Sequence, residues 1–553
     1  MTELMNLDWT RHLVILPVLL PLLCGALLAP LTEGRHGLKF AAGYISVFGL
    51  LANALALVLL TDGGWPTSIQ VYFAANWAAP FGIALVADRL SAIMLVLTAL
   101  LALAALHYAQ PRWGRIGVHF HSLFQFLLMG INGAFLTHDL FNLFVFFEVM
   151  LAASYGLVLH GYNVARLRAS MQYIAVNLAA ALLFLVGVAL IYATTGTLNM
   201  AELAQRVGQL PPHALALLKT GVTVLALAFL VKGAMWPLGF WLPTTYAAAS
   251  PPVAAMLVLM TKVGAYVILR IWLLVFPEGA GALSGDAAHF GYDALLWGGM
   301  ATIVFGTAGM LATDTAGRMA GYAAIVSSGT LLAVIGYGQP GLVTAGLYYF
   351  IASTIAIAAF VLLIELIDRI RTPGAAMLAL TMEVYAVEDT PAEPKGRGVP
   401  AAMAFLSLAF AACALMIAGL PPLSGFVAKF GMFHALVNPG PGLPAIAGAG
   451  WTLMALVIVS GLVAIVSLMR FGVRTFWAAE TLGPPRLHAA EALPVAALLA
   501  VSVLLTIQAQ PVYDYLARAS ADLHRPARYI ERVLRTPPVP GPVAPAHAAA
   551  EAP

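Results

Sequence analysis

Four ionisable residues stand in stretches that are otherwise apolar: Glu148, Lys232, Lys262 and Lys429. Glu148 follows Phe144, Phe146 and Phe147 and lies ten residues into an apolar run that starts near His138. At about 1.5 Å per helical residue its carboxylate would sit about 15 Å deep, the middle of a bilayer. A charge there costs about 3 kcal/mol unless it is paired, hydrated or neutralised, which makes such a residue a functional candidate by default. The bland alternative is a structural ion pair. One carboxylate cannot satisfy three ammonium groups, however. Burial opposes the charge on a lysine and a neighbouring carboxylate supports it, so a moving carboxylate or water would load and unload a proton. That is the chemistry of a proton carrier. Lys219, at a helix start, can extend its stem to the surface and is left out.

The elements that must hold these residues follow from composition. The 553 residues are 61% hydrophobic and 9% charged, against about 25% charged in a soluble domain. In lipid, backbone groups must be satisfied within each segment, so the long apolar runs read as helices and the chain as an all-α polytopic membrane protein. About fourteen spans are predicted, with about 20 residues needed for each. They cover 12–32, 38–61, 80–106, 118–136, 138–160, 169–193, 213–242, 252–276, 293–312, 317–338, 341–367, 401–437, 451–477 and 490–510. The run from His12 follows only one basic residue, Arg11, and reads as a retained first helix and not a signal peptide. Residues 372–399 form the long polar loop, 511–535 read as an amphipathic surface helix, and the Pro/Ala-rich end from Thr536 reads as disordered.

Two predicted spans are too long for straight helices. Residues 401–437 would extend about 55 Å, nearly twice the hydrocarbon thickness. Pro421-Pro422 followed by Ser424-Gly425 supplies a break, and Gly233, Pro237, Gly239 and Pro243 supply one in 213–242. Each break carries a lysine: Lys232 lies five residues before Pro237 and Lys429 seven after Pro422. Broken helices in corresponding halves of a membrane protein point to an ion path.

Lys and Arg accumulate in alternate loops, including Arg112, Arg115, Arg166, Arg168, Arg318, Arg369, Arg470 and Arg474, against only Arg11, Arg206 and Arg270 opposite. The rich side reads as cytoplasmic, which places both termini in the periplasm of a bacterial inner membrane. Five tail arginines, Arg518, Arg525, Arg528, Arg532 and Arg535, disagree with that rule. Asp88-Arg89 and Asp139, near span ends, read as a local pair or a helix cap. Cys24 and Cys413 are too few for a disulfide framework. The net charge of +3 is spread over short loops and excludes nucleic acid as an expected partner. No histidine pair has metal or haem spacing, and no phosphate loop, dinucleotide fingerprint or nucleophile motif is present, so no cofactor and no enzymatic activity are expected.

At these residues the chain resembles the D-type membrane component of Mrp (also called Pha) cation/proton antiporters and, more broadly, the antiporter-like membrane subunits of respiratory complex I. The resemblance covers roughly residues 80–480. It rests on Leu140 through Glu148, on Lys232-Gly233-Ala234-Met235-Trp236-Pro237-Leu238-Gly239-Phe240-Trp241-Leu242-Pro243, on Ser250 through Tyr266 around Lys262, and on Gly419 through Phe426. The resemblance implies two inverted five-helix repeats, here 118–276 and 293–477, between N-terminal helices in 1–117, a last span at 490–510 and a tail at 511–553. It implies Glu148 and Lys232 as an interacting pair, Lys262 as the connecting relay and Lys429 as the distal carrier. Histidines that some relatives have before the long loop are absent here, so water or hydroxyls must link Lys262 to Lys429; Tyr348, Ser353 and Thr354 are the candidates. The expected function is a secondary transporter subunit that exchanges cytoplasmic sodium or potassium for external protons beside other membrane subunits. The alternative is a proton-pumping subunit of complex I or a membrane-bound hydrogenase.

Overall fold

The computed structural model describes residues 9–32, 34–117, 119–161, 163–277, 285–369, 401–439, 446–477 and 487–539. The predicted polar loop at 372–399 and the end from residue 540 lie outside them. The helices are α1 (Leu16–Leu28), α2 (His36–Leu59), α3 (Arg89–Ala109), α4 (Phe120–Leu136), α5 (Leu140–Leu159), α6 (Val164–Thr195) and α7 (Met200–Val207). They continue with α8 (Pro212–Lys232), α9 (Leu242–Ala248), α10 (Pro251–Val275), α11 (Tyr292–Ala312), α12 (Ala316–Tyr337) and α13 (Pro340–Asp368). The last are α14 (Ala401–Ala418), α15 (Ser424–Val437), α16 (Gly448–Gly472), α17 (Ala489–Ile507), α18 (Ala509–Leu523) and α19 (Pro526–Arg535). Twelve described helices are long and apolar enough to cross a membrane, and the shorter apolar α1 and α4 bring the candidate crossings among the described residues to fourteen. Helices α9 and α15 are the second halves of the two broken crossings.

Start signals explain the boundaries. The Asp88 side chain accepts from the Ser91 N–H while the Ser91 hydroxyl accepts from the Asp88 N–H, a reciprocal cap that opens α3. Asp139 accepts from the N–H groups of Phe141 and Asn142 and opens α5, as its position in the sequence suggested. Asn163 caps α6, which ends at Gly196 in the left-handed conformation that glycine tolerates.

Two expectations are corrected. The span predicted over 80–106 begins at Arg89, because Gln70–Phe73 (β1) and Ala84–Ala87 (β2) pair as an antiparallel hairpin. Residues 84–87 are apolar but precede the cap, and four residues in a hairpin bury as well as they would in a helix. The tail is two helices, α18 and α19, separated at His524 and Arg525. Of the two readings for Asp88-Arg89, a local pair or a cap, the cap holds, and Arg89 pairs with Asp62 and Asp522.

Helix α10 is buried from Pro252 to Val275, and α12 and α13 are nearly so. These three form the interior. Leu27, Ile45, Leu59, Leu182, Val466, Met469 and Ile507 on the outer helices are exposed, the surface expected of a protein whose solvent is hydrocarbon. The tail helices pack at the end away from Arg112, Arg166 and Arg318: Arg518 pairs with Asp62 and the Ser520 hydroxyl donates to the Pro340 carbonyl.

Candidate proton path

Helix α8 stops at Lys232 because Gly233 and Ala234 turn the chain, Ala234 with φ +55°, and Pro237 cannot continue the ladder. The freed backbone finds partners inside the protein. The Gly233 N–H donates to the Phe229 carbonyl at 2.7 Å, the Trp236 N–H to Thr302 Oγ1 on α11 at 2.9 Å, and the Trp241 indole to the Val231 carbonyl at 3.2 Å. Gly264 of α10 lies so close that a Cβ there would meet the Phe229 carbonyl at 2.6 Å. The turned segment thus passes directly against the helix that carries Lys262.

Lys232 is 1% exposed. Its Nζ donates to the Tyr173 hydroxyl at 3.1 Å and to Asn177 Oδ1 at 3.4 Å, and Ser154 Oγ shares a hydrogen bond with the same hydroxyl at 2.8 Å. Glu148 is half-buried, its Oε1 has no partner, and it forms no ion pair with Lys232 among the described residues. Tyr155, on the same helix as Glu148, meets the ring of Tyr173 edge-on at 5.7 Å, and its hydroxyl has no hydrogen-bond partner among the described residues. Phe147, next to Glu148, packs with Phe184 and with Phe229, which stands three residues before Lys232.

Lys262 is fully buried and donates to Ser327 Oγ of α12. Ser327 Oγ in turn donates to Ser353 Oγ of α13 at 2.8 Å. Both serines line a cavity that extends to Lys429, with Tyr349 and Ser460 also in its wall. Its ≈ 20 Å³ open to water centres is room for about one water. Beyond it, Lys429 Nζ donates to the Ala418 carbonyl at 2.8 Å, the oxygen left free where α14 ends before Pro421-Pro422. Gly419 and Gly461 leave the space this lysine occupies: a Cβ on them would lie 2.4 Å from Lys429 Cδ and 3.1 Å from its Nζ.

Of the three hydroxyls singled out in the sequence, Ser353 lies on this line. Tyr348 donates away from it to the Leu505 carbonyl at 2.9 Å, and Thr354 to the Phe350 carbonyl of its own helix at 2.6 Å. Sequence reasoning missed Tyr173 and Asn177, four apart in the apolar run of α6, and Ser327 in α12. Polar residues inside otherwise apolar spans were the available signal.

The end of α10 carries a second buried cluster, two turns beyond Lys262. Arg270 grips Asp88 with two nitrogens, one at 2.9 Å, and lies between the rings of Tyr266 and Tyr529. Tyr529 of α19 shares a hydrogen bond of 2.6 Å with His138 Nδ1. Burial opposes ionisation of Asp88, but Arg270 and hydrogen bonds from Ser91 outweigh it and hold the carboxyl below its ordinary range. Burial, helped by Arg270, pushes His138 down to about 3. His138 is therefore neutral at any physiological pH. No group of His, Cys, Asp or Glu suited to a metal is found among the described residues.

Residues 137–456 match the family described as NADH:quinone oxidoreductase/Mrp antiporter, TM. The D component of a probable K(+)/H(+) antiporter of Rhizobium meliloti is 52% identical over 96% of this chain and 99% of its own length. The D component of the Na(+)/H(+) antiporter of Alkalihalophilus pseudofirmus is 34% identical over 95% and 100%. Among solved structures, a chain of the Mrp complex from Dietzia sp. superposes with a TM-score of 0.78 at 28% identity, over 96% of this chain and 100% of that one. A chain of respiratory complex I from Thermus thermophilus, at 23% identity, covers 92% of this chain and 99% of that one with a TM-score of 0.68, and shares the fold. On this similarity the chain belongs to the NADH:quinone oxidoreductase/Mrp antiporter family of membrane subunits, on the branch of the D-type Mrp components.

Proposed function

We propose that this chain carries protons for a multisubunit antiporter that exchanges cytoplasmic sodium or potassium for external protons, in a bacterial inner membrane with both termini outside. The observation that carries the reading is the line Lys262, Ser327, Ser353, cavity, Lys429, which joins two buried ammonium groups through hydroxyls and space for a water. In this reading Glu148 and Lys232 form the first station and communicate through Tyr155 and Tyr173. Residues 118–276 and 293–477 act as two repeats, each centred on a broken helix, with Pro237 and Pro243 in one and Pro421 and Pro422 in the other. A vestibule of ≈ 270 Å³ lined by Asn163, Arg166, Tyr246 and Glu365 opens on the basic-loop face. Tyr246 reaches Thr261, next to Lys262, at 2.5 Å, and supplies that face with a route to the relay.

Deleting the gene should abolish cation-dependent proton movement in everted vesicles and reduce growth in high sodium or potassium at alkaline pH. Unchanged exchange in the deletion would remove the antiport reading. Activity that requires NADH and stops with a redox inhibitor would assign the chain to a redox-driven pump, the use its relatives in complex I suggest.

A further inference from the structure

The tail arginines are the charge that the loop count leaves on the wrong face. Arg528, Arg532 and Arg535 recur at spacings of four and three, which places them on one side of α19. Tyr529, Ile530 and Val533 on the other side are buried against the bundle. The arginine side borders a groove of ≈ 700 Å³, whose opposite wall is Trp65–Ile69, the segment that follows α2, with Arg89 also in its lining. That volume falls within the range of about 300–1,000 Å³ typical of small-ligand sites.

Charge inside the groove is unbalanced. Arg89 is held by Asp62 at 3.1 Å and Asp522 at 2.5 Å, and Arg535 by Glu531 at 2.8 Å. Arg532 has only the Ile69 carbonyl among the described residues, at 3.4 Å. Arg528 has no side-chain acceptor among the described residues. Among the described residues, two guanidinium groups without a carboxylate partner therefore line one groove. Their planar forks suit the oxygens of a phosphate, and two of them would hold it from the same helix face. The groove lies at the ends of crossings α2 and α3, beside Trp65, a residue type that marks the headgroup level of a bilayer.

We propose that this groove binds a phosphate group through Arg528 and Arg532, supplied in the membrane by the headgroup of an anionic phospholipid. The tail is then a lipid clamp, and its arginines are retained on this face by a ligand rather than placed there by topology. The test uses the purified antiporter complex containing the full chain, in nanodiscs of phosphatidylcholine with and without phosphatidylglycerol, followed by native mass spectrometry of retained lipid and by thermal unfolding. Wild type should retain phosphatidylglycerol and unfold at a higher temperature with it. In Arg528→Gln/Arg532→Gln apparent affinity should fall about tenfold or more, since each lost contact is a charge-assisted hydrogen bond. Arg115→Gln, on the opposite face, should behave as wild type. A parallel titration with inorganic phosphate separates the sources: stabilisation by phosphate alone, lost in the double variant, supports the site with a free anion as its ligand. Both substituted residues reach solvent, so complex yield should hold, and Arg528→Lys/Arg532→Lys should restore part of the binding. Equal lipid retention and equal phosphate response in wild type and the Gln variant would overturn the proposal.

Discussion

Replacing Lys429 with methionine should separate function from stability. Methionine keeps most of the apolar stem and fits the space that Gly419 and Gly461 leave around it. The substitution removes one charge-assisted hydrogen bond, to the Ala418 carbonyl at 2.8 Å, worth about 1.5–3 kcal/mol. It also removes an ammonium group from a site only 7% exposed, relieving a desolvation penalty of several kcal/mol. The two nearly cancel. Complex yield should therefore match wild type, with the unfolding temperature within about 3 °C, the shift expected for about 1 kcal/mol. Proton exchange, read as fluorescence dequenching of acridine orange in everted vesicles on cation addition, should fall below about a tenth, because methionine carries no proton and one general acid–base group is worth at least a hundredfold. Lys429→Glu should keep part of the exchange: a protonated carboxyl can donate to the Ala418 carbonyl, whereas an ionised one meets that oxygen with like charge. Wild-type exchange by Lys429→Met at equal complex level would refute the carrier role. Loss of the complex in both variants would leave Lys429 only the task of satisfying a carbonyl at the helix break.

Ser327→Ala should lower exchange about tenfold at normal complex yield, and Ser327→Thr should restore most of it; equal exchange by alanine would show that the proton bypasses the serine pair. Glu148→Gln and Lys232→Ala should each abolish exchange with the complex still assembled, and Glu148→Asp should retain some, all measured in the same vesicles. Gly264→Ala drives a Cβ to 2.6 Å from the Phe229 carbonyl and should cost about 1–3 kcal/mol, visible as reduced complex yield. Asp88→Asn leaves Arg270 buried without its counter-ion and should destabilise by about 3–5 kcal/mol. The sign with pH follows from the depressed Asp88 carboxyl. Its stabilisation is complete above the unfolded value of about 4 and is lost as pH falls toward the lower folded value. The unfolding temperature of wild type should therefore decline below that pH more steeply than that of Asp88→Asn.

Hydropathy alone determined the crossings, because a helix in hydrocarbon must be apolar along its whole length and that signal is local. The two breaks were legible for the same reason: Pro237 and Pro421-Pro422 forbid a continuous helix whatever surrounds them, and Lys232 and Lys429 stand next to them in sequence. Partners were not legible. Lys232 meets Tyr173 and Asn177, fifty-nine and fifty-five positions away, and nothing in the spacing of Glu148 and Lys232 could show that the lysine bonds these two and not the glutamate. The hairpin at 70–87 was missed because residues 84–87 are as apolar as a helix turn, and only their pairing with Gln70–Phe73 makes them a strand. Ser327 gained its role when α12 packed against both α10 and α13. The tail arginines, an anomaly in the charge count, acquired an environment only when α19 folded back onto Trp65–Ile69. Local chemistry could decide which residues are costly to bury; only tertiary packing could decide what each buried charge faces.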